Sequence, residues 1–597
     1  MCGINGIFSH GPDAPPADLA ELRRTRDRMA ARGPDGAGEW VSDDGRVAFG
    51  HRRLSIIDLR SVADQPMRDA SGALTVVFNG ELYGYRGLRA ELAAAGAVFR
   101  TESDTEILLH LWRRMGPEML GRLRGMYAFA LWDQEAQSLF LARDPYGIKP
   151  LYVARSGDSL RFASQVKALL AGGGVDVAPD PAGHAGFFLW GNVPEPYTLH
   201  RGIRALPAGG SLLLRRDGVA REARHFDLAA TLRDAPPAPP RAEDRARMLR
   251  AALADSVRDH LVADVPVGVF LSAGLDSTTI AALSAESGAE LRTLTLGFEE
   301  FRGGPNDETV LAAEVARVLG ARHETRWIRG AAFAAARDDL LAAMDQPSID
   351  GVNTYFVARA AREAGLKVAL SGLGGDELFA SYPSFRQIPK LVRALAPLRF
   401  LSPLGGALRA LAAPVVAATT SPKYAGLLEY GTSVAGAYLL RRSLFMPWEL
   451  STVLPPEMAR AGLAELATVE RLAATLDGVR EPRLQVSLLE SAWYMRNQLL
   501  RDADWAGMAH SLEIRTPLVD VALLRAVAPL LGAGAAAPDK RAMADTPRRK
   551  LPAAVLDRPK TGFVVPVRDW IAGGGAGGGE RGLRGWARQV HAAFGGA

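Results

Sequence analysis

The stretch Val269 to Leu283, VFLSAGLDSTTIAAL, constrains this chain more than any other. Its first residues are apolar, as in a buried parallel strand. Ser272-Ala273-Gly274-Leu275-Asp276-Ser277 follow, all small or polar but Leu275, and then an apolar, helix-compatible run. A strand that turns directly into a helix surrounds an anion with backbone N–H groups and a helix N-terminus. Ser272, Ser277 and Thr278 add hydroxyl donors. Asp276 suits a phosphate site only through a metal, since Mg²⁺ can join a carboxylate to phosphates. The lysine of GxxxxGK[ST] is missing, so this is not the usual P-loop.

A second turn of this kind occurs in VALSGLGGDELFASY, Val368 to Tyr382, and LRTLTLGF, Leu291 to Phe298, reads as another buried strand. Amphipathic helices are expected over Ala246–Asp264 and Asp307–Glu324. Strands alternating with such helices predict a parallel α/β sheet. Both turns then lie at strand carboxyl ends and face one site. There Asp276 and Asp376 could share Mg²⁺ over a pyrophosphate, whereas Glu377 reads equally well as helix N-terminal charge. The first turn resembles the SGGxDS pyrophosphate loop of the ATP-pyrophosphatase (adenylating) enzymes, with Ala273 in place of its first glycine. That resemblance implies ATP contacts at Leu271, Ser272, Gly274, Asp276, Ser277, Ser371 and Gly372. It also places the backbone of Leu296 and Gly297 against adenine.

The chain has one cysteine in 597 residues, Cys2. A single cysteine excludes an intrachain disulfide and suits a reducing compartment, so a cytoplasmic location is expected. Loss of Met1 would leave a thiol and a free α-amine on one residue. Their ordinary pKa values, about 8.5 and 7.7–8.0, let the amine serve as a base for the thiol.

Four further motifs follow: ARGPDGAG (Ala31–Gly38), GHRRLSIIDL (Gly50–Leu59), VVFNGELYGY (Val76–Tyr85) and TESDTE (Thr101–Glu106). With MCGINGIF they resemble, in this order, the glutaminase domain of class II glutamine amidotransferases. The resemblance implies an N-terminal-nucleophile αββα sandwich over about 200 residues. Cys2 is then the nucleophile, and the Asn79 side chain and Gly80 N–H form the oxyanion hole. Arg53 pairs the α-carboxylate of glutamine, and Asp104 with Glu81 takes its ammonium. GMYAFALWD and LARDPYGIKPLY read as strands joined by an Asp-Pro-Tyr-Gly turn, and PAGGSLLL as the closing strand of the domain.

AATLRDAPPAPPRAE, Ala229 to Glu243, is Pro-rich and reads as an extended spacer. This gives a glutaminase domain over 1–228, a linker over 229–243 and a second domain over 244–597. Residues 390–482 look helical and carry no recognisable chemistry. RNQLLRDADWAGMAHSLEIRTPLVD (Arg496–Asp520) and RPKTGFVVPVRDW (Arg558–Trp570) resemble the late segments of asparagine synthetases. They imply that Lys560 stabilises the adenylate and departing pyrophosphate. Gly573–Gly579 is expected to be a hinge before a short terminal helix.

The whole chain thus resembles the glutamine-hydrolysing asparagine synthetases. Glutamine supplies ammonia, ATP with Mg²⁺ activates a carboxylate as an acyl-adenylate, and an amide, AMP and pyrophosphate result. One position departs from the family. Its second turn commonly reads SG[DE]G[SG]DE, and here Leu373 replaces the acid, which leads us to expect an acceptor other than free aspartate. A third reading, a non-catalytic protein on this fold, is opposed by the complete residue set. A net charge of +5 with dispersed basic residues argues against nucleic acid. No apolar run reaches membrane-span length, and a homodimer is left open.

Overall fold

A computed structural model describes residues 2–11, 13–288, 290–419, 421–558 and 583–595. In the first half, two six-stranded antiparallel sheets lie face to face. One runs Ile203–Ala205, Tyr152–Ser156, Ser159–Ala163, Gly3–Ser9, Val47–Arg53, Gly36–Val41. The other runs Ala220–Arg224, Gly210–Arg215, Ser138–Arg143, Gly125–Asp133, Leu74–Leu82, Met67–Arg68.

Side-chain alternation explains the layering. Along Gly125–Asp133, Ala128, Ala130 and Trp132 enter the core between the sheets. Tyr127, Phe129 and Leu131 point the other way, into a core shared with Thr105–Met115. Strands buried on both faces need no polar alternation. On the outside of the first sheet, Leu22 of Leu19–Arg28 and Val166 and Leu169 of Val166–Gly172 are buried against it. The result is the expected αββα sandwich.

Four local expectations are corrected. The Asp-Pro-Tyr-Gly turn follows Ser138–Arg143 and carries the chain from one sheet to the other, because Asp144 collects the N–H groups of Tyr127, Tyr146, Ile148 and Lys149 at 2.9–3.2 Å. Gly210–Arg215 does not close the domain; Ala220–Arg224 pairs with it as the edge strand. The extended spacer is shorter than 229–243, since Leu228–Arg233 is a helix N-capped by Asp227. The helix expected over Asp307–Glu324 covers only Thr309–Leu319. It stops at Gly320, φ 72°, and Arg322–Ile328 is a strand.

The second half holds a five-stranded parallel sheet. Its order is Arg322–Ile328, Arg292–Phe298, Val267–Phe270, Val368–Leu370, Glu513–Arg515. Strand order reverses between Val267–Phe270 and Val368–Leu370, and a crevice opens at such a reversal. The turns after those two strands are the two Ser/Gly turns. Residues 384–476 are mostly helical, as expected, and a helix over Arg584–Ala593 ends the chain's described part. Gly573–Gly579 lies outside the described residues. No helix among the described residues is long and apolar enough to cross a membrane.

The halves interlock. Arg32 of the first forms a bidentate ion pair with Asp504 of the second, at 2.7 and 3.0 Å, with both side chains buried.

Candidate active sites

In the first site, Cys2 precedes the strand Gly3–Ser9 and is buried. Its backbone N–H donates to Asn79 Oδ1 at 3.0 Å, which joins the two sheets at this point. Asn79 Nδ2 is buried and has no hydrogen-bond partner. A buried amide N–H₂ left unpaired costs about 1–3 kcal/mol, so it is held ready for an acceptor. Gly80 cannot be replaced without strain, because a Cβ there would meet the Met126 carbonyl oxygen at 2.2 Å. Arg32 Nε donates to the Cys2 carbonyl at 3.1 Å. Burial pushes the Cys2 thiol above its ordinary value, while the Leu54 N–H and the Arg53 charge act against that.

Arg53 is buried, and its guanidinium donates to Asp64 at 2.6 Å and to the carbonyls of Arg60 and Asp58. The loop 58–64 thus aims it. Asp104 accepts the Leu82 N–H at 2.9 Å, and burial lifts its carboxyl to about 6. Burial and the charge of Glu513 push Glu81 well up; Arg515, 3.3 Å away, opposes them. The Arg53 and Glu81 charges thus act on the Cys2 thiol, and the Asp104 charge acts on Glu81.

The second site is a cavity of about 450 Å³ at the sheet crevice. Leu271, Ser272, Gly274, Asp276, Ser277, Leu296, Ser371, Gly372, Leu373 and Asp376 all line it. The first turn is braced internally by Ser277, whose Oγ accepts the Ser272 N–H at 3.2 Å and donates to the Gly274 carbonyl at 3.2 Å. Ala273 has φ 54°, a left-handed conformation that costs a non-glycine residue roughly 1–2 kcal/mol. The two turns touch through glycines: a Cβ on Gly372 would meet Asp276 Cβ at 2.9 Å, and one on Gly375 would meet Asp276 Oδ1 at 2.2 Å.

The sequence reading missed Lys540. Its ammonium ion-pairs with both Asp276 and Asp376. Burial alone would lower this amine, but the two carboxylates push it above its ordinary value. Both carboxylates thus converge on one cation position. Among the described residues no group of three or more His, Cys, Asp or Glu could hold a metal. Two carboxylates suffice for Mg²⁺, which keeps waters and takes phosphate oxygens for the rest of its shell. Glu377 also lines the cavity, accepting from Tyr382 Oη at 3.0 Å; burial, then the Asp376 charge, raises it to about 8. Leu373 sits in the same wall and packs against the core under the sheet. Lys560 lies outside the described residues.

A buried thiol beside an unpaired amide donor and a nucleotide-sized crevice thus stand on two interlocked domains, and the matches to known families make the chain a glutamine-dependent C–N ligase. The glutamine amidotransferase domain family matches residues 1–226, and the asparagine synthase family matches residues 248–581. Bacillus subtilis asparagine synthetase [glutamine-hydrolyzing] 1 is 31% identical over 96% of this chain and 88% of its own length. A Mycobacterium tuberculosis relative described as a glutamine-hydrolysing asparagine synthetase is 36% identical over 96% of this chain and 89% of its own. Escherichia coli asparagine synthetase B is 34% identical over 65% of this chain and 66% of its own. The chain belongs to the glutamine-hydrolysing asparagine synthetase family and performs glutamine- and ATP-dependent amidation of a carboxylate. These relatives do not favour the non-aspartate acceptor expected from Leu373.

Proposed function

We propose that the carboxylate is that of aspartate and that the product is asparagine. The Cys2 thiol attacks the glutamine amide carbon, and its proton passes to the α-amine freed by loss of Met1. Asn79 Nδ2 and the Gly80 N–H receive the oxyanion, each donor worth about 3–4 kcal/mol in the transition state. Arg53 holds the α-carboxylate; Glu81 and Asp104 hold the ammonium. Ammonia leaves with the returned proton, and water releases glutamate from the thioester.

In the crevice, Ser272, Gly274, Ser277, Ser371 and Gly372 bind ATP phosphates, with adenine beside Leu296. The aspartate side-chain carboxylate attacks the α-phosphorus, and pyrophosphate departs toward Lys540 and, from outside the described residues, Lys560. Asp276 and Asp376 would hold Mg²⁺, which would supply charge neutralisation at the pyrophosphate. Ammonia then attacks the acyl carbon, and AMP leaves. Leu373 cannot accept a proton; Glu377 places a carboxyl group in the same wall.

The convergence of both turns, through Asp276 and Asp376, on one cation position supports the nucleotide step, and the likeness to asparagine synthetases supports aspartate as acceptor. The test supplies ATP, Mg²⁺, glutamine and aspartate. Asparagine, AMP and pyrophosphate should form in equal amounts, with turnover on the order of 1–10 s⁻¹. Glutamine hydrolysis with little asparagine would overturn the acceptor; ADP and phosphate would overturn the adenylate.

A further inference from the structure

A second cavity, about 440 Å³, lies at the seam of the two domains and belongs to neither site. Glu195, Phe226 and Leu228 come from the first domain, and Arg471, Trp493 and Arg496 from the second. The acids on its walls are already paired. Glu195 pairs with Arg143 at 2.7 Å, Asp227 with Arg224 at 3.5 Å, and Asp477 with Arg233 at 3.0 Å.

Two guanidiniums are left without a counter-ion among the described residues. Arg471 donates to the Glu195 carbonyl at 2.6 Å and lies between the rings of Tyr197 and Trp493, 5.3 and 5.4 Å from their centres. Its Nη1 is buried with no hydrogen-bond partner. Arg496 donates from Nε to the Tyr146 carbonyl at 3.1 Å. Burial lowers both guanidiniums below their ordinary range. Arginine cannot escape by losing its proton, so the cavity keeps two positive charges in a poorly solvated place.

Phe226 and Trp493 give the same cavity an apolar side. Trp493 and Arg496 belong to the π-helix Glu490–Leu500, a conformation rare enough to mark function when it occurs. The same segment sends Leu499 into the nucleotide cavity.

We propose that this seam cavity binds a small organic anion, its carboxylate or phosphate received by the unpartnered Arg471 Nη1 under the positive charge of Arg496, and its apolar part against Trp493 and Phe226. Occupancy joins walls from both domains and so resists their separation. The proposal does not depend on the acceptor or on either catalytic assignment.

The test uses the full-length protein with two probes, inorganic phosphate and benzoate. Binding is followed by ³¹P line broadening for the first, by saturation transfer for the second, and by the thermal shift each causes. Wild type should bind at least one probe, and Arg471→Gln with Arg496→Gln should weaken that binding tenfold or more. Phosphate alone would mark a phosphorylated ligand, benzoate alone a carboxylate. Should that variant not fold, Ala474→Trp fills the cavity with both arginines kept and should give the same loss. A tungstate soak of wild-type crystals should show an anomalous peak in the seam cavity, against Arg471 Nη1. No binding of either probe, binding unchanged in the variants, or no such peak would each overturn the proposal.

Discussion

Replacing Asp504 by Asn tests whether the domains are held by a buried charge pair. Asp504 receives two hydrogen bonds from Arg32, 2.7 and 3.0 Å, and its side chain is 5% exposed against 2% for Arg32. Lys149 Nζ lies 4.0 Å away. Burial pulls the Lys149 amine down, and the Asp504 charge is the first to oppose it. Removing one partner of a buried pair costs roughly 3–5 kcal/mol. Lys149 can answer by losing its proton, but Arg32 cannot, so most of that cost remains. At about 2–4 °C per kcal/mol for a domain of this size, the first domain should melt some 6–20 °C lower. Calorimetry measures this directly. Arg32 also holds the Cys2 carbonyl, so glutaminase turnover should fall with stability. Arg32→Met combined with Asp504→Leu removes both charges and should recover most of the loss. A single variant within about 1 kcal/mol of wild type, or a double variant no better than the single one, would refute the reasoning.

Three further outcomes are expected. Cys2→Ala should abolish glutamine-dependent synthesis and spare ammonia-dependent synthesis; glutaminase activity surviving in that variant contradicts the nucleophile. Lys540→Met should lower pyrophosphate release about 10²–10³-fold with either nitrogen source and leave glutamine hydrolysis intact, so a normal rate of release would exclude the lysine from the site. The third concerns pH. His184 Nδ1 and His591 Nε2 share one hydrogen bond at 2.8 Å, and burial, then the His184 charge, lowers His591 to about 4 from an ordinary 6.5. A histidine whose folded pKa is depressed contributes stability above its unfolded pKa and loses it as pH falls. Docking of Arg584–Ala593 should therefore weaken between pH 6.5 and 4, read from fluorescence of the buried Trp586. His591→Phe should flatten that response, and an unchanged pH profile in the variant would dismiss the pair as its source.

What the sequence reveals and what it hides divide along contact range. The turns after Phe270 and Leu370 are local events, written in small residues between apolar runs, and they lie where the sequence places them. The strand Gly125–Asp133 is legible because alternate residues serve two cores. Lys540 is not legible: it meets Asp276 across 264 residues, and a lone lysine near a helix start carries no motif. Arg32 and Asp504, 472 residues apart, are hidden for the same reason. The helix that ends at Leu319 stops for a local reason: Gly320 takes the left-handed conformation that closes a helix, and Arg322–Ile328 then joins the sheet. The spacer shortened because Asp227 is a good N-cap and Leu228, Ala229 and Leu232 find buried places, which prolines downstream do not prevent.

The glutamine and nucleotide sites meet at one residue. The Arg515 guanidinium stands 3.3 Å from Glu81, while its own carbonyl accepts the Ser371 N–H at 2.8 Å. Glu513 holds the same guanidinium at 2.5 Å, and the carbonyls of His260 and Val262 hold it at 2.8 and 2.7 Å. An ammonium brought to Glu81 by glutamine therefore shares a carboxylate with a second cation in a dry site, where charges are weakly screened. Arg515 cannot give up its proton to relieve that. The two sites thus share one buried arginine, its side chain beside Glu81 and its carbonyl on Ser371.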